Sequence, residues 1–480
     1  MNHAMPSTKP HRLTTALLLA TLAGCTPAPK GPDQQAAPAT PAAAPPTAAP
    51  PTAPTPDANF RSRAVIYEVN VRQFSDSGTL AAVTQDLPRI RDLGVNVLWL
   101  MPIHPIGIKN RKGELGSYYS VRDYRAINPE FGTLDDLRQL VRRAHELEML
   151  VILDWVANHT AWDHAWITEH PDRYTRNAAG KIIDPIGKDG KSWGWTDVAD
   201  LNYENRALWE AMTAEMAFWI QEANIDGFRC DVASEVPAAF WEFALPRLRQ
   251  IKPLFMLAEA EETELQASFD LSYGWHFHHL TNEVAQGRQP ATVFDSYMQE
   301  RQTQFNADHP LLMFTTNHDE NSWNGTVFER YGAAHKAWAV LAFTLDGVPL
   351  LYSGQEAGLD RRLRFFERDP IDWGDYRLAD FYRDLLTLRA QTPALLAGAT
   401  GGRFAPIDHR SDNERAYAFT RTAADGSGVL VALNFSAAPA NLDFAQGLET
   451  YPKTLHGTAE RTTASLTLAP HQWVILEKQK

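Results

Sequence analysis

Asn224-Ile-Asp-Gly-Phe-Arg-Cys-Asp231 reads as a short buried strand that ends on an acid. Two further runs end the same way: Phe255-Met-Leu-Ala-Glu259 and Leu311-Leu-Met-Phe-Thr-Thr-Asn-His-Asp319. A carboxylate at the C-terminal end of a buried strand is costly for the fold and useful for chemistry. The runs belong to a longer series. Strand-like stretches are expected at Ala64–Phe74, Val95–Pro102, Leu150–Val156, Ile225–Val232, Phe255–Ala260, Ala267–Tyr273, Leu311–Asn317 and Val348–Ser353. Between them lie amphipathic stretches such as Leu134–Glu148, Arg206–Glu222 and Ala238–Ile251. This alternation predicts a (β/α)₈ TIM barrel across residues 60–399. A doubly wound sheet competes, but it would announce a Gly-rich phosphate turn after its first strand, and none is present.

In a barrel the three acids converge on one mouth, which is what cleavage or transfer of a glycosidic bond needs. The third strand is followed by an irregular stretch rich in Trp, Asp, Gly and Lys, read as an inserted domain over residues 160–203 that walls the cleft. After residue 400 the texture changes to short strands separated by turn residues. Ala416–Arg421, Gly428–Phe435, Ala440–Phe444, Ala464–Leu468 and His471–Glu477 predict a C-terminal β-sandwich over residues 400–480, with packing the simpler role and carbohydrate binding the alternative.

Composition agrees with this reading. The 480 residues are 44% hydrophobic and 21% charged, as in a globular protein. A net charge of -13 excludes a nucleic-acid partner, whose phosphates want a basic surface. Fourteen tryptophans suit a glycan cleft, since apolar sugar faces lie flat on aromatic rings, although any single Trp is more often core. Of the two cysteines, Cys230 is expected as a small core residue, and a disulfide to Cys25 is not.

The N-terminus reads as an address. A mildly basic start precedes the apolar run Leu13–Leu22, too short for a permanent membrane span. Leu22-Ala23-Gly24-Cys25 resembles a bacterial lipobox, which implies a signal peptide over 1–24 and lipidation at Cys25. Thr26 after the cysteine favours the outer membrane by the usual sorting rule. Residues 25–59 are Pro/Ala/Thr-rich, a tether that at roughly 3.1 Å per residue reaches on the order of 100 Å.

The strand-end motifs resemble those of the α-amylase family of glycoside hydrolases, over nearly all of residues 60–480. Four segments fall in the family's order: Asp154-Trp-Val-Ala-Asn158-His159, Gly227-Phe-Arg229-Cys-Asp231, Glu259, and Asn317-His318-Asp319. Asp200-Leu-Asn202 resembles the signature late in the inserted domain. The resemblance implies a retaining enzyme acting on α-glucans, most simply α-1,4 bonds in starch-derived oligosaccharides. Asp231 would be the nucleophile, Glu259 the acid and base, and Asp319 the holder of sugar hydroxyls. His159 and His318 would bond the same sugar, and Tyr119 would stack on it, with Tyr118 the competing choice. Arg229, two residues before Asp231 on one strand face, should keep that acid ionised, whereas Glu259 must stay protonated. Glu261 shares Glu259's face and competes with it, and Glu262 is near.

The chain departs from the family at Val232-Ala-Ser234-Glu235, where many members carry Lys-His. That puts the usual calcium site in doubt. Asn158 remains a candidate oxygen ligand, joined by Asp163, Asp197 or Asp200, and no cofactor is required for the chemistry. Trp155 and Trp162 either line outer sugar subsites or pack. Two rivals stand: a glucanotransferase using the same intermediate, and a catalytically silent glycan-binding lipoprotein, against which the presence of all three acids argues.

Overall fold

A computed structural model describes residues 52–187 and 190–479. The signal peptide, Cys25 and the tether up to residue 51 lie outside the described residues. Among the described residues, eight parallel strands close into a barrel: β1 (Ile66–Val69), β2 (Val97–Leu100), β3 (Leu150–Trp155), β4 (Gly227–Cys230), β5 (Phe255–Ala258), β6 (Leu271–Tyr273), β7 (Leu311–Met313) and β8 (Val348–Tyr352). Their residues are buried on both faces, as expected where helices cover a parallel sheet. The period of two sends Ile66, Val97, Trp99, Leu150, Ile152, Phe255, Leu257, Leu312 and Leu350 into the barrel interior. The next inward positions, nearer the C-terminal mouth, are polar: Glu68, Asp154 and Arg229. The same alternation that fills the core therefore delivers charge to one end.

Gly227 is required where β4 begins. Its φ of +154° is unfavourable for other residues, and a Cβ there would sit 1.9 Å from the Phe255 carbonyl oxygen. Helix boundaries follow ordinary capping. Thr133 and Asp136 form a capping box ahead of Leu134–Glu146. Asn224, at φ 56°, ends the helix Arg206–Ala223.

Several strands are shorter than their sequence runs. The run Ala64–Phe74 stops at Val69, and Val71–Phe74 turns into a short helix. The reason lies in its polar residues. Gln73 Nε2 donates to the carbonyls of Arg364 (3.0 Å) and Glu367 (2.8 Å), and an Arg72 guanidinium nitrogen donates to Gly116 O (3.1 Å). These residues pin loops over the mouth rather than extending a strand. Likewise Thr263–Ala267 is a 3₁₀ turn, so β6 starts only at Leu271, and β7 ends at Met313, before the segment that carries Asp319.

The inserted segment is organised by a ribbon in which His159–Ala161 pairs antiparallel with Val198–Asp200. The C-terminal part forms two antiparallel sheets. The strands are β9 (Arg403–Pro406), β10 (His409–Ser411), β11 (Ala416–Thr422), β12 (Gly428–Asn434), β13 (Ala440–Phe444), β14 (Lys453–Gly457), β15 (Glu460–Arg461), β16 (Ser465–Leu468) and β17 (Trp473–Lys478). One sheet has the order β9-β11-β12-β17-β14 and the other β10-β13-β16-β15. Ala418, Leu430, Leu442, Phe444, Leu466 and Leu476 pack between them as a sandwich core. The outer face of the larger sheet joins the barrel's helical layer, with Phe435 stacked on Trp338 at 3.8 Å. Strands β9, β10, β14 and β15 were not expected, because they are short and largely exposed and carry no apolar alternation.

Candidate active site

Asp231 and Glu259 each lie one residue past a strand end, and Asp319 lies a few residues past β7. All three line one cavity of about 510 Å³ at the barrel mouth, together with Tyr119, His159 and His318. Arg229 lies fully buried beneath it. One of its guanidinium nitrogens donates to Asp231 Oδ1 at 2.8 Å and to Asp154 Oδ1 at 2.9 Å. The other is 2.8 Å from Glu259 Oε1. Asp231 and Glu259 thus meet the same guanidinium through its two nitrogens, from the ends of paired neighbouring strands. The other oxygen of Glu259 accepts from Val232 N–H at 2.8 Å. Val232 adopts φ +37°, strained for a β-branched residue, and that conformation aims its N–H at the acid.

Burial pushes the Glu259 carboxyl up to about 7. Arg229 opposes the rise, and Asp231 and Asp319 add to it. Burial also lifts Asp231 to about 6 against the pull of Arg229. Arg229 acts on Asp231 in the expected direction, favouring the ionised form, but desolvation is the larger effect and leaves the carboxyl above its ordinary value. On His318, burial works against the charge, yet Asp319 and Glu68 overcome it and hold the ring up to about 9. His159 goes the other way, lowered to about 4 by burial, and is a neutral imidazole at pH 7.

Tyr119 faces the cavity, stacked on His318 at 5.4 Å, and its hydroxyl donates to Asp154 Oδ2 at 3.0 Å. Tyr118 faces away, with Arg72 over its ring at 4.2 Å. Glu261 does not share the grip of Arg229. Its carboxylate accepts from His276 N–H at 2.6 Å, in an adjoining cavity of about 570 Å³ that also holds Glu262, Trp193 and Trp275. Trp195, Val232 and Glu259 belong to both cavities, so the acid stands at their junction. Trp155 is not in either; it is fully buried and stacked on Tyr124 at 5.1 Å. Trp162 spends its indole N–H on Thr196 O at 3.0 Å and lines neither cavity.

Sequence reasoning missed part of the lining. Trp195, Trp323, Phe365 and Phe366 present aromatic surface, and Trp323 is 51% exposed. Lys112 pairs with Asp197 at 3.0 Å and donates to Gly194 O at 3.0 Å, tying the loop after β2 to the inserted domain. The one available signal was the aromatic density of Ser192-Trp-Gly-Trp195 beside the signature Asp200.

The expected calcium ligands do not all meet. Asn158 and Asp200 line one cavity with Asp172 and Glu235. Asp163 instead accepts from Ile108 N–H at 3.0 Å, and Asp197 is held by Lys112. Among the described residues no group of three His, Cys, Asp or Glu side chains is gathered as a metal site. Nothing in the chemistry below depends on a metal.

A parallel barrel with paired carboxyls at its C-terminal mouth defines the class, a glycosidase barrel. The family model of the alpha amylase catalytic domain matches residues 56–189 and 191–249. The fold is similar to the crystal structure of an alpha-amylase from Lactobacillus plantarum, at 31% identity and TM-score 0.76, over 88% of this chain and 100% of that one. A maltogenic alpha-amylase from Thermotoga neapolitana is similar at 27% identity and TM-score 0.76, over 87% and 99% of the two chains. The alpha-amylase MalA of Haloarcula japonica is 28% identical over 400 residues, which span 80% of this chain but only 57% of that one. The chain belongs to the alpha-amylase family of glycoside hydrolases.

Proposed function

We propose that the protein is a retaining glycosidase that hydrolyses α-glucosidic bonds, chiefly α-1,4, in starch-derived glucans and maltooligosaccharides. The observation that carries this reading is the bridging of Asp231 and Glu259 by Arg229 in the cavity that Asp319 also lines. In the first step an Asp231 oxygen attacks the anomeric carbon. The glycosidic C–O bond breaks, and Glu259 gives its proton to the departing oxygen. In the second step Glu259, now ionised, takes a proton from water. The water oxygen bonds to the anomeric carbon, and Asp231 leaves as a carboxylate. Glu259 suits the proton donor's role, since burial and the neighbouring Asp231 and Asp319 carboxylates raise its carboxyl. Asp231 suits the nucleophile's, since Arg229 donates to it and opposes the rise that burial causes. Asp319 and His318 would hold the hydroxyls of the reacting sugar, and Tyr119 its face. Because the acid sits on the leaving side, the cavity with Glu261 and Trp275 would take the departing chain. Names of the relatives support the α-glucan substrate.

The test is a maltooligosaccharide series with product size and anomeric form followed in time, with and without excess maltose. α-Anomeric products with no lengthened chains support the hydrolase. Chain lengthening with maltose would replace it by the transferase, and no products from any length would overturn the substrate. Cys25 would anchor the enzyme to the bacterial envelope, at the outer membrane, with the Pro-rich stretch as spacer. Metabolic palmitate labelling, lost in Cys25→Ala, tests this; equal labelling of both would refute it.

A further inference from the structure

The polar chain beneath the cavity extends beyond the expected residues to Glu68. This carboxyl on β1 is fully buried, flanked by apolar strand residues. A buried carboxylate needs a partner of opposite charge or it gives up its ionisation. The side-chain partner of Glu68 is His318 Nδ1, and among the described residues its Oε2 has no hydrogen-bond partner.

The second ring nitrogen of His318 is also engaged. Its Nε2 lies 2.7 Å from Tyr119 Oη and 3.3 Å from Asp319 Oδ2. The Tyr119 hydroxyl has one proton, and it goes to Asp154 Oδ2 at 3.0 Å. Toward His318 that oxygen can therefore only accept. Burial raises the Glu68 carboxyl, and the His318 contact and Arg229 oppose that rise, so the Glu68 oxygen is assigned as the acceptor from Nδ1. Both ring nitrogens must then donate, and an imidazole that donates from both nitrogens is the cation. Four charged groups face this ring. Glu68 comes from β1, Asp319 from the segment after β7, Asp154 from β3 through Tyr119, and Arg229 from β4. Trp99 closes the remaining side edge-on at 6.0 Å. The signs alternate from Glu68 through His318 and Asp154 to Arg229 and then Asp231.

We propose that Glu68 is a positioning residue that keeps His318 in its charged, doubly donating form and so fixes the orientation of Asp319 and Tyr119 toward the sugar. The proposal rests on the glycosidase reading above. It adds a role for a residue that touches neither the sugar nor the three acids. With Glu68, the His318 cation persists below about pH 9 and is lost as pH rises through it. With glutamine, the amide oxygen still accepts one N–H but supplies no charge. His318 then keeps Asp319 as its one carboxylate partner against the pull of burial and Arg229, and loses its proton at lower pH than in the wild type.

The experiment is the pH dependence of kcat/KM for α-glucosyl fluoride, using the full chain and Glu68→Gln. Fluoride leaves with little need of a proton, so the limb due to Glu259 is suppressed and that of His318 is exposed. The wild type should hold its rate to about pH 9, as the position of His318 requires. Glu68→Gln should lose activity on a limb shifted to lower pH, so that its rate falls away from that of the wild type below pH 9. A parallel profile, whether lowered uniformly or unchanged, would overturn the proposal. A second readout needs no substrate and no variant of Glu68. Imidazole ¹⁵N spectra of the wild type at pH 8 should contain one doubly protonated ring that disappears in His318→Ala. Its absence would defeat the proposal even with full activity. Its presence in an enzyme silent on α-glucosyl fluoride would place the failure in the glycosidase reading instead.

Discussion

Arg229 is the hinge of the site's chemistry, since a single guanidinium meets Asp154, Asp231 and Glu259 at 2.8–2.9 Å. Replacing it by methionine strands three buried carboxyls, which costs about 3–5 kcal/mol when one partner of a buried pair is lost. Urea unfolding should show a loss of that size, together with collapse of activity. Asp231→Asn keeps the volume and removes the proposed nucleophile. We expect kcat to fall on the order of 10⁴-fold or more, with fold stability retained. Glu259 makes a prediction of opposite sign. Its folded carboxyl titrates near 7, above the ordinary 4.5, so its stabilising share is complete below about 4.5 and is lost as pH rises through 7. Glu259→Gln should therefore melt higher than the wild type at pH 8, and the gap should close toward pH 4. A lower melting temperature at pH 8 would contradict the assignment. The three acids were legible because each ends an apolar run. Glu68 was not, because one acid inside Ile66-Tyr-Glu-Val69 looks like a solvent-facing strand position until the barrel closes around it.

At the scale of the element, the barrel strands were readable from their apolar runs, but their ends were not. The overshoot past β1 and β7 has one cause. Residues after the strand still alternate in polarity, yet their backbone turns to place side chains over the mouth. Gln73 bonds loop carbonyls there, and Asn317 Oδ1 accepts from Glu320 N–H at 2.8 Å. Sequence periodicity reports burial, and both a strand and a loop packed on the mouth are buried. Gly227 shows the opposite case, where the local sequence dictates the element. Gly227→Ala must displace the Phe255 carbonyl, which a Cβ would approach to 1.9 Å. We expect destabilisation of roughly 3 kcal/mol or more, or no soluble protein, by thermal melt against the wild type. An unchanged melting temperature would mean β4 and β5 are not in the register described here.

Across the whole molecule, the sandwich is part of the barrel's packing. Phe435 stacks on Trp338, and Arg421 is fully buried with its guanidinium donating to Leu396 O (2.7 Å), Thr344 O (3.0 Å) and Gly402 O (2.6 Å). Arg421→Ala leaves those carbonyls without their donor, for a loss of roughly 3 kcal/mol or more. A chain cut after residue 400 exposes the apolar helix His335–Thr344 and should be recovered only as aggregate. The change of texture near residue 400 made the second domain legible, whereas its docking was not, since the partners lie far apart in sequence. The most direct measurement of the central claim is mass-spectrometric mapping of the enzyme after reaction with 5-fluoro-α-D-glucosyl fluoride, a slow substrate that accumulates the glycosyl-enzyme. The account predicts a fluoroglucosyl adduct on the peptide containing Asp231, absent in Asp231→Asn. An adduct on Glu259, Glu261 or Asp319, or turnover with no adduct on Asp231, would contradict it.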